Sequence, residues 1–75
     1  MKIYSIAIEH QGYDTYDAHI IVANNEREVI QLAQESPGDE GKRIWEEKAL
    51  IRVEGDFTGN QNQKPFIMLS SFNAG

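Results

Sequence analysis

The alternation of apolar and polar residues along the chain predicts four β-strands. Residues 2–10 alternate with a period of two, which is typical of a half-buried strand. Residues 17–23 are almost continuously apolar and β-branched, which indicates a strand in the middle of a sheet. Residues 49–54 alternate again, and residues 66–72 form the last strand. Turn-forming residues between the first two strands predict a hairpin there.

A short amphipathic helix is predicted between the second and third strands. Asn25 is a favourable N-cap residue, and Glu28 three residues later completes the pattern of a capping box. Pro37 and Gly38 end the element. One helical face carries Glu26, Val29, Ile30 and Ala33, with Leu32 at its edge. Such a helix can cover one side of a sheet.

The segment 43–48 fits either one helical turn or an extended entry to the third strand, and we describe it as irregular. The order of the elements is therefore ββαββ. This order predicts one α+β domain over residues 1–75, with a mainly antiparallel sheet and one amphipathic helix packed on one face.

The small size of the chain and the composition of its last strand predict self-association. A core built from 75 residues rarely supplies more than about 3–5 kcal/mol, and association adds burial. Strict alternation divides the last strand into two faces, with Phe66, Met68, Ser70 and Phe72 on one and Ile67, Leu69 and Ser71 on the other. Both faces begin apolar, while one helix covers only one of them. We therefore expect a homodimer or a larger homo-oligomer.

Composition narrows the possible partners and compartment. The net charge of −5 opposes sequence-independent binding to nucleic acid. The chain has no cysteine, which excludes a disulfide framework and fits a reducing cytoplasm. No apolar run approaches the roughly 18 residues that span a bilayer. We expect a cytoplasmic protein that binds neither membrane nor nucleic acid, although one segment is locally basic through Lys42, Arg43, Lys48 and Arg52.

Several motifs resemble a widespread group of small bacteriophage and prophage accessory proteins. They are YDTYD in the first hairpin, VANNEREVIQLA from strand to helix, a Trp before the third strand, and the terminal IMLSSFNAG, which is the most specific. The resemblance covers most of the chain, although Val29-Ile30 stands where Ala-Arg is more usual in the group. It implies a phage accessory protein that acts in the bacterial host cell. Such proteins frequently counter host immunity, and the resemblance implies no chemistry.

The residues do not form a catalytic signature. Ser70 and Ser71 lack the Gly-x-Ser-x-Gly elbow of a hydrolase nucleophile, so we interpret them as hydroxyls at the end of a strand. His10 and His19 would need a neighbouring partner for metal binding or base catalysis, and the sequence does not show one. We therefore predict no enzyme activity, no catalytic residue, no metal and no cofactor.

The first functional hypothesis is sequestration of a nucleotide-derived immune signal in a pocket at a subunit boundary. Aromatic rings would stack on the base, and Arg, Ser and Asn side chains would bind phosphate or ribose. The candidate ligand-binding residues are Arg43, Trp45, Arg52, Ser70, Ser71, Phe72 and Asn73. For Trp45 a second interpretation stays open, in which its ring covers the open side of the core.

The alternative is a protein inhibitor of the anti-CRISPR kind, which docks on a host defence protein through the acidic and aromatic first hairpin. The candidate partner-binding residues are Tyr13, Asp14, Tyr16 and Asp17. Tyrosine recurs in interfaces because it joins apolar area to a hydrogen-bonding end. Ordinary packing of the tyrosines and a solvated turn for the acids are the simpler interpretations. Two carboxylates also fall short of the six to eight oxygens that calcium requires.

Overall fold

The computed structural model describes residues 1–9, 14–35, 37–38, 40–59 and 63–73. The elements are β1 (Lys2–Ala7), β2 (Thr15–Ala23), α1 (Glu26–Glu35), α2 (Arg43–Glu47), β3 (Leu50–Asp56) and β4 (Phe66–Asn73). The predicted α+β fold is confirmed, with a second short helix added between α1 and β3. Within the described residues, no helix is both long and apolar enough to cross a membrane.

The four strands form one antiparallel sheet in the order β3-β1-β2-β4. The first hairpin occupies the centre, which confirms the predicted central position of the second strand. Since β3 and β4 lie at opposite edges, the chain crosses the sheet between them. At the start of this crossing the Phe57 amide donates to the Met1 carbonyl at 3.0 Å. The Phe57 ring packs edge-on against Phe66, with ring centroids 5.7 Å apart.

The core lies between one face of the sheet and the helices. Helix α1 buries Val29 and Ala33 there, as its amphipathic pattern predicts. The predicted N-cap is confirmed, because the Glu28 amide donates to Asn25 Oδ1 at 3.0 Å. The Glu28 carboxylate reaches back to accept from the Asn24 amide at 2.8 Å, one residue before the cap. The local sequence therefore defines where this helix starts.

Our description of residues 43–48 as irregular is wrong, because residues 43–47 form α2. The turn is closed by the Lys48 amide, which donates to the Ile44 carbonyl at 2.9 Å. Its third residue, Trp45, is buried with 1% of its surface exposed. A helix this short gains little from local propensity. Burial of the indole ring in the core is therefore what stabilises it.

Strand β4 departs from the strict alternation predicted for it. Its register on β2 shifts, so that Ile67 lies opposite Ile21 while Leu69 lies opposite Ile20. Met68 is the extra residue of this bulge. Residues paired directly across antiparallel strands share a face. The helix side therefore receives Ile67, Ser70 and Phe72, and the other side receives Phe66, Leu69 and Ser71. The predicted assignment of residues to the two faces of β4 is wrong for Phe66 and Ile67. Ile67 shares a face with Ser70 and Phe72, and Phe66 shares the other face with Leu69 and Ser71.

Candidate functional site

Four rings and a hydroxyl meet on the helix side, where β2, β4 and α2 come together. Ring centroids lie 4.6 Å apart for Tyr16 and Phe72, 5.0 Å for Tyr16 and His19, and 5.0 Å for His19 and Trp45. Ser70 adds its hydroxyl beside His19. We call these five residues the aromatic corner. Phe72 is 45% exposed and Trp45 is buried, so the corner runs from solvent into the core.

A hydrogen bond joins His19 to Ser70, which lies directly opposite it on β4. The His19 Nδ1 and the Ser70 Oγ are 2.7 Å apart, and which of them donates depends on the imidazole tautomer. The imidazole is only 3% exposed, and its other nitrogen, Nε2, is buried without a hydrogen-bond partner among the described residues. Within the described residues, the buried imidazole therefore has a hydrogen-bond partner at Nδ1 but none at Nε2.

The surroundings of His19 favour its neutral form. Burial lowers the pKa of the imidazole below its ordinary value of 6.5. The nearby charges of Glu40 and Asp17 act in the opposite direction and only partly offset this effect. At neutral pH the aromatic corner therefore contains an uncharged imidazole.

Glu40 connects the segment between the two helices to the aromatic corner through hydrogen bonds. Its Oε1 accepts the Tyr16 amide at 2.7 Å, and its Oε2 accepts the Gly38 amide at 2.8 Å. The Trp45 indole Nε1 also donates to Oε2, at 3.4 Å. Sequence reasoning missed this residue. Glu40 belongs to a polar turn, and nothing in the local pattern distinguishes it from the other acids nearby.

A second bulge places Tyr16 on the same face as His19. The register passes from Tyr16 opposite Phe72 to Ala18 opposite Ser71, which leaves Asp17 as the extra residue. The Asp17 carbonyl accepts the Ile8 amide at 2.9 Å, while its carboxylate Oδ1 is buried with no hydrogen-bond partner in the described part of the chain. Without this bulge, two residues three positions apart would face opposite sides.

The structure brings together three of the seven predicted ligand-binding residues, namely Trp45, Ser70 and Phe72. Trp45 is buried, so its interpretation as a core residue is the one that fits the structure. Its ring contacts His19 and is not open to a ligand. Phe72 and Ser70 are the exposed members of this group.

The other predicted ligand-binding residues lie elsewhere. Arg43 is exposed on α2 and forms an ion pair with Glu47 at 3.2 Å. Arg52 and Ser71 lie on the opposite face of the sheet, on its two edge strands. Asn73 ends β4 opposite Thr15, and its side chain lies outside the described residues.

The predicted partner-binding residues do not form one exposed group among the described residues. Tyr13 lies outside the described residues. Asp14 is exposed, with a φ of 57° in the left-handed region. Tyr16 and Asp17 are half-buried and belong to the aromatic corner and its bulge rather than to an exposed hairpin tip.

Among the described residues, the aromatic corner does not contain the hydrogen bonds of a serine-hydrolase relay. In serine hydrolases a carboxylate holds the second imidazole nitrogen and so orients the base. Here Nε2 of His19 is buried, and no carboxylate of the described residues is hydrogen-bonded to it. In the part of the chain that the structure describes, no group of three or more potential ligand side chains could hold a metal ion.

Comparison with known proteins adds no relative: no family model, no curated sequence and no solved structure matches the chain. The function proposed below therefore depends on the geometry of the corner and on the resemblance of the sequence motifs.

Proposed function

We propose that the chain is a non-enzymatic binding protein that sequesters a small ligand with a flat aromatic ring at the aromatic corner. The observation that carries this proposal is the ring of Phe72. It is 45% exposed, packs against Tyr16, and belongs to the same strand face as the exposed Ser70. Stacking of a base on an exposed aromatic ring contributes about 1–3 kcal/mol, and a neighbouring hydroxyl adds direction.

The ligand class that we propose is a nucleotide-derived immune signal. The resemblance to phage accessory proteins supports a role in counter-defence, in the cytoplasm of the bacterial host cell. Sequestration requires no bond to be made or broken, so it needs only stacking surface and hydrogen bonds. A buried histidine without an orienting carboxylate among the described residues is compatible with that simpler role.

The charges around the aromatic corner favour binding of the base of a nucleotide over binding of its phosphates. Glu40 and Asp17 lie close enough to His19 for their charges to oppose the lowering of its pKa by burial, so the inner side of the corner is acidic. A phosphate placed there would be repelled. The base should therefore stack on Phe72 while the phosphates point to solvent. Nucleosides should bind within about threefold of the corresponding nucleotides, because the phosphate contributes little.

Isothermal titration calorimetry with purified protein tests the proposal. The panel consists of nucleosides, mononucleotides and cyclic di- and trinucleotides. Phe72→Leu should weaken binding about tenfold, since it keeps apolar volume but removes the ring. Met68→Ala is the matched control, because Met68 lies on the same strand and is 48% exposed. Its affinity should match that of the natural sequence.

Two results would overturn the proposal. One is the lack of saturable binding by any member of the panel. The other is equal affinity of Phe72→Leu and Met68→Ala. Either result would leave the protein-inhibitor hypothesis, in which the first hairpin docks on a host defence protein, as the better prediction.

A further inference from the structure

The face of the sheet opposite the helices carries three complete rows of side chains, and we call the two rows that include the exposed Leu50 and Leu69 the open face. Residues directly opposite one another in the register define each row. From β3 to β4 the first row is Arg52, Ser5, Ile20 and Leu69, and the second is Leu50, Ala7, Ala18 and Ser71. Neither α1 nor α2 packs on these rows, since the helix-side core draws on the other face.

The open face has the shape of a trough. Leu50 on one edge strand is 76% exposed, and Leu69 on the other is 67% exposed. Ala7 and Ala18 form a low floor between them on the central strands. A depression of about 110 Å³ lies beside Leu69, and its lining includes Ser5, Ala18, Ile20 and Ser71. Leu50 and Leu69, one at each edge, therefore form two leucine ridges beside a floor of Ser5, Ala7, Ala18 and the half-buried Ile20.

The far end of the same face is already covered. Val22 is fully buried although it does not belong to the helix-side cluster. Phe66 lies opposite Val22, shares its face, and packs against Phe57 from the segment that crosses the sheet. The protein therefore covers this face at one end, while Leu50 and Leu69 stay exposed on the two rows.

We propose that a second copy of this chain packs on the open face, so that two sheets stack face to face. The trough is self-complementary, because a leucine ridge of one copy fits the alanine floor of the other. The same patch on both copies generates a closed two-fold dimer. Stacked sheets lie about 10 Å apart, which leaves room for one interlocking layer of leucine side chains from each copy.

The distribution of charge favours a second copy as the occupant. Each chain carries a net charge of −5, so two copies repel each other through most of their surfaces. The two rows contain one charged side chain, Arg52, and no carboxylate. Exposed acids lie outside the two rows, on the helices at Glu26, Glu35, Glu46 and Glu47, and elsewhere at Glu9, Asp14, Glu54 and Asp56. Contact through the open face keeps the acids of the helices far apart.

The size of the face sets the expected strength of association. Four strands about 4.8 Å apart and two rows about 7 Å apart give a projected area of roughly 270 Å² per copy. Even with the relief of the leucine ridges, two such faces bury about 700 Å² in total, which is below the roughly 1,000 Å² of a stable specific interface. The dimer should therefore be weak and transient.

Sedimentation equilibrium up to millimolar concentrations of protein tests the proposal, with folding of each variant checked by circular dichroism. The natural chain should shift from 8.5 kDa to twice that mass as its concentration rises. Leu50→Glu and Leu69→Glu should each raise the dissociation constant at least about tenfold, because each buries a carboxylate. Val53→Glu is the matched control. Val53 is 56% exposed on the same strand as Leu50, but it lies opposite Tyr4 on the helix side.

Three results would overturn the proposal: a monomer at every concentration, equal effects of Leu50→Glu and Val53→Glu, or disruption by Met68→Glu alone. The last would indicate edge-to-edge pairing through β4 instead. The proposal is independent of ligand binding at the aromatic corner, because the two surfaces lie on opposite faces of the sheet. A protein that dimerises without binding any nucleotide would overturn only the proposed function.

Discussion

The Nδ1 atom of His19 lies 2.7 Å from the Oγ atom of Ser70, across two neighbouring strands and 51 residues of sequence. This contact favours the observed register of β4 on β2. A slip of one residue would place Leu69 or Ser71 opposite His19 and exchange the two faces of the strand. With Leu69 there, the imidazole would lose its partner inside the apolar cluster, whereas Ser71 would replace the hydroxyl and leave only the exchange of faces as a cost.

Removal of the Ser70 hydroxyl should destabilise the protein. Ser70→Ala leaves the His19 Nδ1 buried and unpaired, which costs about 1–3 kcal/mol. Ser71→Ala is the matched control, since Ser71 is exposed on the other face and lies opposite Ala18. The control should change stability by less than about 0.5 kcal/mol. Urea unfolding, followed by the fluorescence of the single tryptophan, measures both. Equal stabilities of the two variants would show that the hydrogen bond contributes nothing.

The stability of the protein should fall on mild acidification. Burial lowers the pKa of His19 in the folded state relative to 6.5, its ordinary value in an unfolded chain. Between these two pKa values the unfolded chain binds more protons than the folded one. The stabilisation is therefore complete above about pH 6.5 and is lost as the pH falls towards the folded pKa. The slope can reach about 1.4 kcal/mol per pH unit for one proton.

Urea unfolding at a series of pH values from about 7.5 to 5 measures this slope. The chain contains a second histidine, His10, so the comparison starts from a His10→Gln parent in which His19 is the one remaining histidine. Adding His19→Asn, which keeps a polar atom near the position of Nδ1, should flatten the profile. An unchanged slope in the double variant would assign the pH dependence to other groups.

The parts of the fold that the sequence predicts correctly depend on short-range patterns. β1 and β3 follow period-two alternation, β2 and β4 follow apolar runs, and the start of α1 follows from Asn25 and Glu28. The hairpin in the centre of the sheet follows from a short connection between two apolar runs. In each case the interacting residues are close in sequence, so local propensity and periodicity contain the information.

The aromatic corner could not be predicted as a unit, because contacts between distant segments create it. The bulges at Asp17 and Met68 determine which side chains share a face, and no local pattern of residues predicts these bulges. Glu40 acquires its role only when its turn packs against the start of β2. The turn around Trp45 is helical because its ring is buried in the core. The local sequence does not predict this turn, since the packing of the ring is what stabilises it.

The close approach of Gly38 to the start of β2 predicts a large effect from adding one methyl group. A Cβ at position 38 would clash with the Asp14 carbonyl oxygen and lie 3.1 Å from the Thr15 Cα, both of which are backbone atoms. It would also meet Glu40 Oε1 at 2.8 Å. Since backbone cannot move aside as a flexible side chain does, Gly38→Ala should displace the whole segment and weaken the contacts of Glu40 with Tyr16. We expect a loss of about 1–3 kcal/mol.

Gly55→Ala provides the matched control for this variant. Gly55 lies in β3, has no positive φ, and has no atom of the described residues within 4 Å of the position that an added Cβ would take. The added methyl there should be neutral or stabilise the protein by up to about 1 kcal/mol, since it lowers the entropy of the unfolded chain. Urea unfolding of both variants at pH 7.5 measures the difference, and near-ultraviolet circular dichroism reports the packing of Trp45. If Gly38→Ala were as stable as Gly55→Ala, the segment before α2 would not be held against β2, and Glu40 would have no part in ordering the corner.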